Sequence, residues 1–498
     1  MLGRLLLIIS SLHVAYAIST RFVKKRAKRR RGQRIGGEDK ISALPDDLLV
    51  HILLFLHTKD VVSTMILSKR WRYIWTMVPR LGYGYRKING DTHKVFIGGL
   101  FSRLLGRLFD KSEQQQRCLW RFIDKSLQLH KAPVLEELMI ELGPSRGHVD
   151  VEKWIANAVD RRVRELGLKI AWSAGPASLS KSLYTCDTLV RLYLSSKILM
   201  DVPSRVCLPS LKSIVLYCVV YKDEDSLVRL LSNCPILKIL WVKRHHHDNV
   251  KNFNITVPSL ECLLYDNIDY FGVHNEGIGG SLVIDSPTLK KIFYRDYSGD
   301  SCSIDNKTCF DKAGIDFISY PDDKFMRSIS SVTNLELDLS VATATWCNVI
   351  NFSQLMECNV TLLAELDWLE SLMGLLQNSP ILEVLFIDQT FTRLEEDFTL
   401  SWNEPSSVPG CFATHLKIFE WKGYIGRRKE KEAIKYIFAN SKCLKRARIS
   451  IKSTCKLKDR EKMMKELESM SRVSTSSQLL FSTQLKFPSF LDEIDLND

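Results

Sequence analysis

Residues 189–194 read Leu-Val-Arg-Leu-Tyr-Leu, and their spacing of apolar residues returns along most of the chain. It recurs as Leu211-x-x-Ile214-x-Leu216, Leu237-x-x-Leu240-x-Val242, Leu260-x-x-Leu263-x-Tyr265 and Leu289-x-x-Ile292-x-Tyr294. Earlier copies are Leu135-x-x-Leu138-x-Ile140 and Val163-x-x-Leu166-x-Leu168. Later ones are Val332-x-x-Leu335-x-Leu337, Leu355-x-x-Cys358-x-Val360 and Leu382-x-x-Leu385-x-Ile387. Most starts lie 22 to 29 residues apart; the step from 289 to 332 is 43 and leaves room for an insertion or a degenerate copy.

That period and pattern are those of a leucine-rich repeat. The last two apolar positions of each copy alternate along a short strand and point inward, and the residue between them points to the other face of the sheet. One unit cannot bury its own leucines, so neighbours stack into a curved solenoid. Several copies are entered through proline, as in Leu208-Pro209-Ser210-Leu211, Cys234-Pro235-Ile236-Leu237, Val257-Pro258-Ser259-Leu260, Ser286-Pro287-Thr288-Leu289 and Ser379-Pro380-Ile381-Leu382. Proline there stops a preceding helix from running on into the strand. In this register the concave face carries Tyr193, Val215, Trp241, Leu264 and Phe293 in succession, with Phe386 later. Aromatic anchors in such a row suit a recognition surface for a target. Cover by another part of the chain, or a register slipped by one residue, would explain the row equally well.

Upstream, residues 41–75 read ISALPDDLLVHILLFLHTKDVVSTMILSKRWRYIW. Leu44, Leu48, Ile52 and Phe55 share one helical spacing, and Leu49, Leu53 and Leu56 another. A helix in a small domain needs one apolar stripe. A second stripe calls for another protein, because large exposed apolar patches mark interaction sites. Pro45 suits a first helical turn, and Asp46 and Asp47 complement the helix dipole there. Thr58 is expected to cap a second helix.

The order Leu44-Pro45-Asp46-Asp47-Leu48-Leu49, Ile52-Leu53, Phe55-Leu56 and Leu67-Ser68-Lys69-Arg70-Trp71 resembles an F-box. The resemblance implies a three-helix module that docks a Skp-type adaptor and, through it, cullin and RING subunits. It implies Leu44, Pro45, Leu48, Ile52, Leu53, Val61, Leu67, Ser68 and Trp71 as adaptor contacts. The Pro-x-Leu entries look like the irregular repeats of plant F-box proteins. Towards the C-terminus, a strand-like Leu416–Tyr424 segment containing Trp421-Lys422-Gly423 is followed by a helical stretch, Glu430 to Ala439, and a second strand, Cys443 to Ile451. A charged helix from about Asp459 to Ser469 comes next. This order is similar to the FBD domain of the same plant family, and reads as one more solenoid-like unit capping the open end of the sheet.

The expected fold class is therefore α/β: an F-box at 36–80, a connector at 81–129, repeats at 130–407, an FBD cap at 408–485 and a tail at 486–498. The connector should hold a helix from Gln114 to Leu129. Residues 1–35 form an apolar and then basic extension. The function this implies is that of an adaptor that recruits a target protein to an SCF-type ubiquitin ligase, with no catalysis and no cofactor of its own. Among the residues, no Ser/His/Asp, Cys/His or paired-carboxylate arrangement stands out.

Composition bears on the alternatives. The 13 cysteines are odd in number and lack C-x-x-C spacing, which argues for a reducing compartment, the nucleus or cytoplasm. Nine basic residues and no acid fall within 21–34, which leaves a net charge of only +4 for the rest of a +13 chain. Basic stripes on the folded body, which nucleic-acid binding requires, are missing. The run Lys24, Lys25, Arg26, Lys28, Arg29, Arg30 and Arg31 fits a nuclear-import tag. A nuclear protein touching nucleic acid through this arm remains an alternative. Leu5 to Val14 followed by Ala15-Tyr16-Ala17 has the form of a signal peptide and is short for a membrane span. If it is one, the chain is a secreted repeat scaffold. His245-His246-His247-Asp248 and Gly277-Ile278-Gly279-Gly280 read as loops, without metal or phosphate-binding spacing.

Overall fold

The computed structural model describes residues 41, 43–84, 113–143, 150–171, 175–244, 250–267, 280–296, 301–304, 310–316, 323–362, 368–390, 405, 407–453, 455, 457–482 and 485–493. The basic run, the apolar N-terminus and the histidine and glycine loops at 245–248 and 277–279 lie outside them. The chain divides into two compact units, the first ending at Ile52 and the second beginning at Leu53.

A helix runs over Asp46–Leu53 with both acids in its first turn. In the first unit the Leu49 N–H donates to the Pro45 carbonyl at 3.1 Å. Helix Thr58–Ser63 and helix Trp71–Ile74 follow in the second unit, each extended by a turn of 3₁₀-helix. Thr58 is not the cap expected of it: His57 holds that position, and Thr58 is the first helical residue. Its hydroxyl is engaged elsewhere, accepting the Gly82 N–H at 2.8 Å.

The second unit is built on a sheet of 15 strands in sequence order, every neighbouring pair parallel. Each expected repeat from Leu135 to Leu382 places its last two apolar positions in one of these strands, and they are buried: Leu192 and Leu194, Leu240 and Val242, Cys358 and Val360. The long step from 289 to 332 hides a degenerate copy. Strand Lys312–Asp316 sits between strands Lys291–Asp296 and Asn334–Leu339, and Phe310-x-x-Ala313-x-Ile315 fills the pattern with buried residues, the middle one the small Ala313.

The Pro-x-Leu entries are β-turns. The N–H of Leu211, Leu237, Leu260, Leu289 and Leu382 each donates to the carbonyl three residues back, at 3.0–3.3 Å. Proline stands at the second turn position, where its fixed φ is favourable. Helices such as Val151–Asp160, Asp225–Leu231 and Trp368–Gln377 pack their buried faces into the same core as the strand leucines. Two small parallel sheets replace helices in some repeats, one of Ala177–Ser178, Ile198–Met200 and Val220–Tyr221, the other of Asn252–Thr256, Ser281–Asp285 and Ser301–Ile304.

Both ends of the sheet go beyond the sequence reading. Strand Arg80–Tyr83 follows the last F-box turn directly and pairs with Glu137–Leu142, so the module feeds straight into the solenoid. At the far end the FBD region adds three strands, Ile418–Tyr424, Arg446–Ile451 and Gln478–Phe481, rather than one unit. Leu416-x-x-Phe419-x-Trp421 and Leu444-x-x-Ala447-x-Ile449 are further copies of the repeat in its own register.

Candidate functional site

The F-box segment is unusually apolar on its surface. Leu48 is 51% exposed in the first unit; in the second, Phe55 is 66%, Ile66 79% and Leu67 54% exposed. Met65 and Tyr73 are exposed as well. Helical amphipathicity would place such side chains inward if the segment served only its own fold. Of the nine contacts implied by resemblance, Pro45, Leu48, Leu67 and Ser68 are exposed and Leu44 and Ile52 half-buried, while Leu53, Val61 and Trp71 are buried. Phe55, Met65 and Ile66 carry exposed apolar surface that the resemblance does not name. Their signal lay in the stripe of Leu44, Leu48, Ile52 and Phe55 and in the Met-Ile-Leu run after the second helix.

The third F-box helix is fastened to the first repeats by a compact polar knot. The Thr76 carbonyl accepts the N–H groups of Lys131 and Ala132 at 2.8 and 2.9 Å. His130 is buried, with Nε2 2.7 Å from the Val78 carbonyl and Nδ1 2.5 Å from Arg161 Nη2. Only the neutral tautomer protonated on Nε2 satisfies both, since the carbonyl accepts and the guanidinium donates. Burial, and then the Arg161 charge, push its pKa down to about 4. Arg161 also donates to the Ala132 carbonyl at 2.6 Å, and the Tyr83 hydroxyl lies 2.8 Å from Ser126 Oγ. The F-box end, the helix Glu113–Leu129 and the first repeat are thus joined by hydrogen bonds.

The opposite sheet face carries the row expected of it. Tyr193 pairs with Val215, Val215 with Trp241, Trp241 with Leu264 and Leu264 with Phe293. The register therefore does not slip. Gly314, Glu336, Asn359 and Phe386 continue the row. Ion pairs flank it: Lys169–Glu141 at 2.7 Å, Lys243–Asp266 at 2.9 Å and Lys422–Asp388 at 2.7 Å, with Arg295 paired to Asp316. Burial and the adjoining Asp316 carboxyl hold Asp338 well above the usual carboxylate range.

The row is not open to solvent along its middle. Chain residues 485–492 return across it. The Phe490 ring lies 5.6 Å from that of Phe293, in one cluster with Val215, Trp241 and Leu264. Phe487 stacks on Phe386 at 4.9 Å, and Leu485 is buried in the same cluster. The Phe490 N–H donates to Glu336 Oε2 at 2.7 Å, and Asn359 Nδ2 reaches the Pro488 carbonyl at 3.4 Å. Cover by the chain's own tail, left open by the sequence, accounts for the large apolar residues on this face.

The Trp421-Lys422-Gly423 signature closes the seam between the last repeat and the FBD region. The Trp421 indole N–H donates to Gln389 Oε1 at 3.0 Å, and Gln389 Nε2 donates to the buried Glu430 carboxyl at 2.9 Å. Glu430 Oε2 also accepts the N–H groups of Ile425, Gly426 and Arg427. Gly423 has φ +82°, and a Cβ there would stand 2.9 Å from the Gln389 carbonyl carbon, so the position demands glycine.

A helical F-box, a parallel repeat sheet and an α/β C-terminal extension define an F-box protein with leucine-rich repeats. The family profiles match in the same order: F-box domain over residues 41–81, the repeats of FBD-associated F-box protein At5g56370 over 151–309, and FBD over 404–449. The chain is 47% identical over 469 residues to an Arabidopsis thaliana F-box/FBD/LRR-repeat protein, At1g22000, covering 91% of this chain and 92% of that one. It is 45% identical over 461 residues to an FBD-associated F-box protein of the same plant, At1g05080, with 90% and 98% covered. The chain belongs to the F-box/FBD/LRR-repeat family.

Proposed function

We propose that this protein is a substrate-recruiting subunit of an SCF-type cullin-RING ubiquitin ligase. The observation that carries the reading is the concentration of exposed apolar side chains on the F-box segment, led by Leu48, Phe55, Ile66 and Leu67. Docking a Skp-type adaptor there would bury several of them, each contributing roughly 1.5–3 kcal/mol before association costs. The resemblance adds Leu44, Pro45 and Ser68 as contacts. Leu53, Val61 and Trp71, buried in the second unit, serve the packing of that unit's part of the segment.

The protein would make and break no bond itself. It would hold a target near the ligase's catalytic subunits and raise its local concentration. The polar knot at His130 and Arg161 supports this role, because hydrogen bonds between the F-box end and the first repeat fix the direction in which a target is presented. The full chain mixed with a purified Skp-type adaptor should co-purify with it, and L44A/P45A should not. Co-purification of that double variant at the wild-type level would sink the contact assignment.

Such a ligase works in the nucleus or cytoplasm, and the basic run from Lys24 to Arg31 suits nuclear import. A fluorescent fusion lacking residues 21–34 should lose nuclear signal; an unchanged nuclear level would remove that role from the run.

A further inference from the structure

We propose that the open face of the sheet is a peptide-docking groove that the chain's own C-terminal segment, Leu485–Asp492, occupies in place of a partner. The partner it fits is a short protein segment with two aromatic side chains three residues apart, the second opening a helical turn as Phe490 does here.

The groove has two sockets and a polar contact between them. One socket is Phe386, on which Phe487 stacks, with Lys422 Nζ 5.8 Å from the Phe487 ring centre. The other is Phe293 beside Gly314, under Phe490, with Lys312 Nζ 5.6 Å from that ring. Gly314 makes this socket: a Cβ there would meet Phe293 at 2.6 Å and Phe490 Cγ at 3.4 Å. Between them Asn359 contacts the Pro488 carbonyl and Glu336 takes the Phe490 N–H.

The segment lies across the strands and engages the row residues of successive repeats. Its contacts are side-chain sockets and single hydrogen bonds, and no strand pairing in the sheet depends on it, since the last strand ends at Phe481. It is a ligand-like appendage attached by a short link. Such a link gives an effective concentration on the order of millimolar, which a partner must overcome. Leu264, Trp241 and Val215 are buried in one cluster with Phe490, and Tyr193 packs against it, so a partner reaches this face only by taking the place of the tail.

The inference deepens the target-recruiting reading, but its test uses no adaptor, so the two can fail separately. The probe is a labelled synthetic peptide of residues 483–498. It is titrated into the full chain and into a chain ending at Ser482, whose fold is checked by circular dichroism and a cooperative melt. The peptide should bind the shortened chain at least tenfold more tightly than the full one. F487A/F490A in the peptide should abolish binding, as should moving the second phenylalanine by one residue. Should the shortened chain not fold, the full-length F487A/F490A variant serves instead: it should bind the wild-type peptide in trans and expose its own tail to protease. Absence of peptide binding to either folded variant, or equal binding to the unaltered chain, would overturn the proposal.

Discussion

The ring of Phe490 rests on that of Phe293, and no side chain at Gly314 keeps them apart. A glycine in the middle of a strand weakens it in isolation, so its cost here is offset by what it admits. Replacing Gly314 with valine puts branched carbon where both rings lie. Overpacking of this kind costs about 1–3 kcal/mol. The variant should melt several degrees lower and be clipped within residues 483–498 by low protease. A melt and a cleavage pattern like those of the unaltered chain would show that the socket is looser than described.

The buried Glu430 carboxyl gathers four donors, three from the turn at 425–427 and one from Gln389. Glu430→Ala leaves these buried donors unpaired, which costs roughly 1–3 kcal/mol for each that water cannot reach. Gln389→Met keeps the side chain's length and removes its hydrogen bonds to Trp421 and Glu430, while the three turn donors stay paired, so it should cost less than Glu430→Ala. Chemical denaturation of both variants checks the order; a Gln389→Met loss equal to that of Glu430→Ala would refute the central place given to the carboxyl.

His130 and Asp338 give stability opposite pH dependences. His130 has a folded pKa near 4, below its ordinary 6.5. The unfolded chain therefore binds the proton more readily, and stability present above about pH 6.5 is lost as pH falls towards 4, by at most about 3 kcal/mol. His130→Gln should flatten this acid limb in melts recorded from pH 7 to 4.5; an unchanged limb would contradict the assignment.

Asp338 is raised instead, by burial and by Asp316. Here the folded chain holds the proton more tightly, so stability falls as pH rises from the ordinary carboxylate range through the folded value. Asp338→Asn keeps the shape of the protonated acid without the titration. It should melt higher than the unaltered chain at pH 8 and close to it at pH 4. A lower melting temperature at pH 8 would show that the ionised form is the stabilising one.

Repeats could be read from the sequence because each uses leucine, isoleucine or valine at three fixed positions, and burial demands little else. The copy at 310–315 escaped because its middle position is alanine, which breaks the triplet that Phe310 and Ile315 carry at its ends. The strand at 80–83 escaped because its neighbour in space, Glu137–Leu142, is distant in sequence. Thr58 has the chemistry of a cap, yet its hydroxyl answers to Gly82, a tertiary partner that local rules cannot see. The row from Tyr193 to Phe293 was legible as an apolar face, open equally to a target or to cover by the chain itself. Its cover was not, because Phe487 and Phe490 follow no period and their contacts cross many repeats. The same limit applied to Phe55 and Ile66, whose exposure depends on which face of a short helical segment turns outward.

The central claim is that the F-box segment presents a working adaptor surface. Calorimetric titration of the full chain with a purified Skp-type adaptor tests it most directly, beside the exposed-residue variant L48A/L67A. The account predicts a one-to-one complex with a negative heat-capacity change, as apolar burial requires. It predicts affinity reduced by at least a hundredfold in the double variant, about 2.7 kcal/mol, with the melting temperature nearly unchanged. No binding by the folded wild-type chain, or equal binding by the double variant, would contradict it.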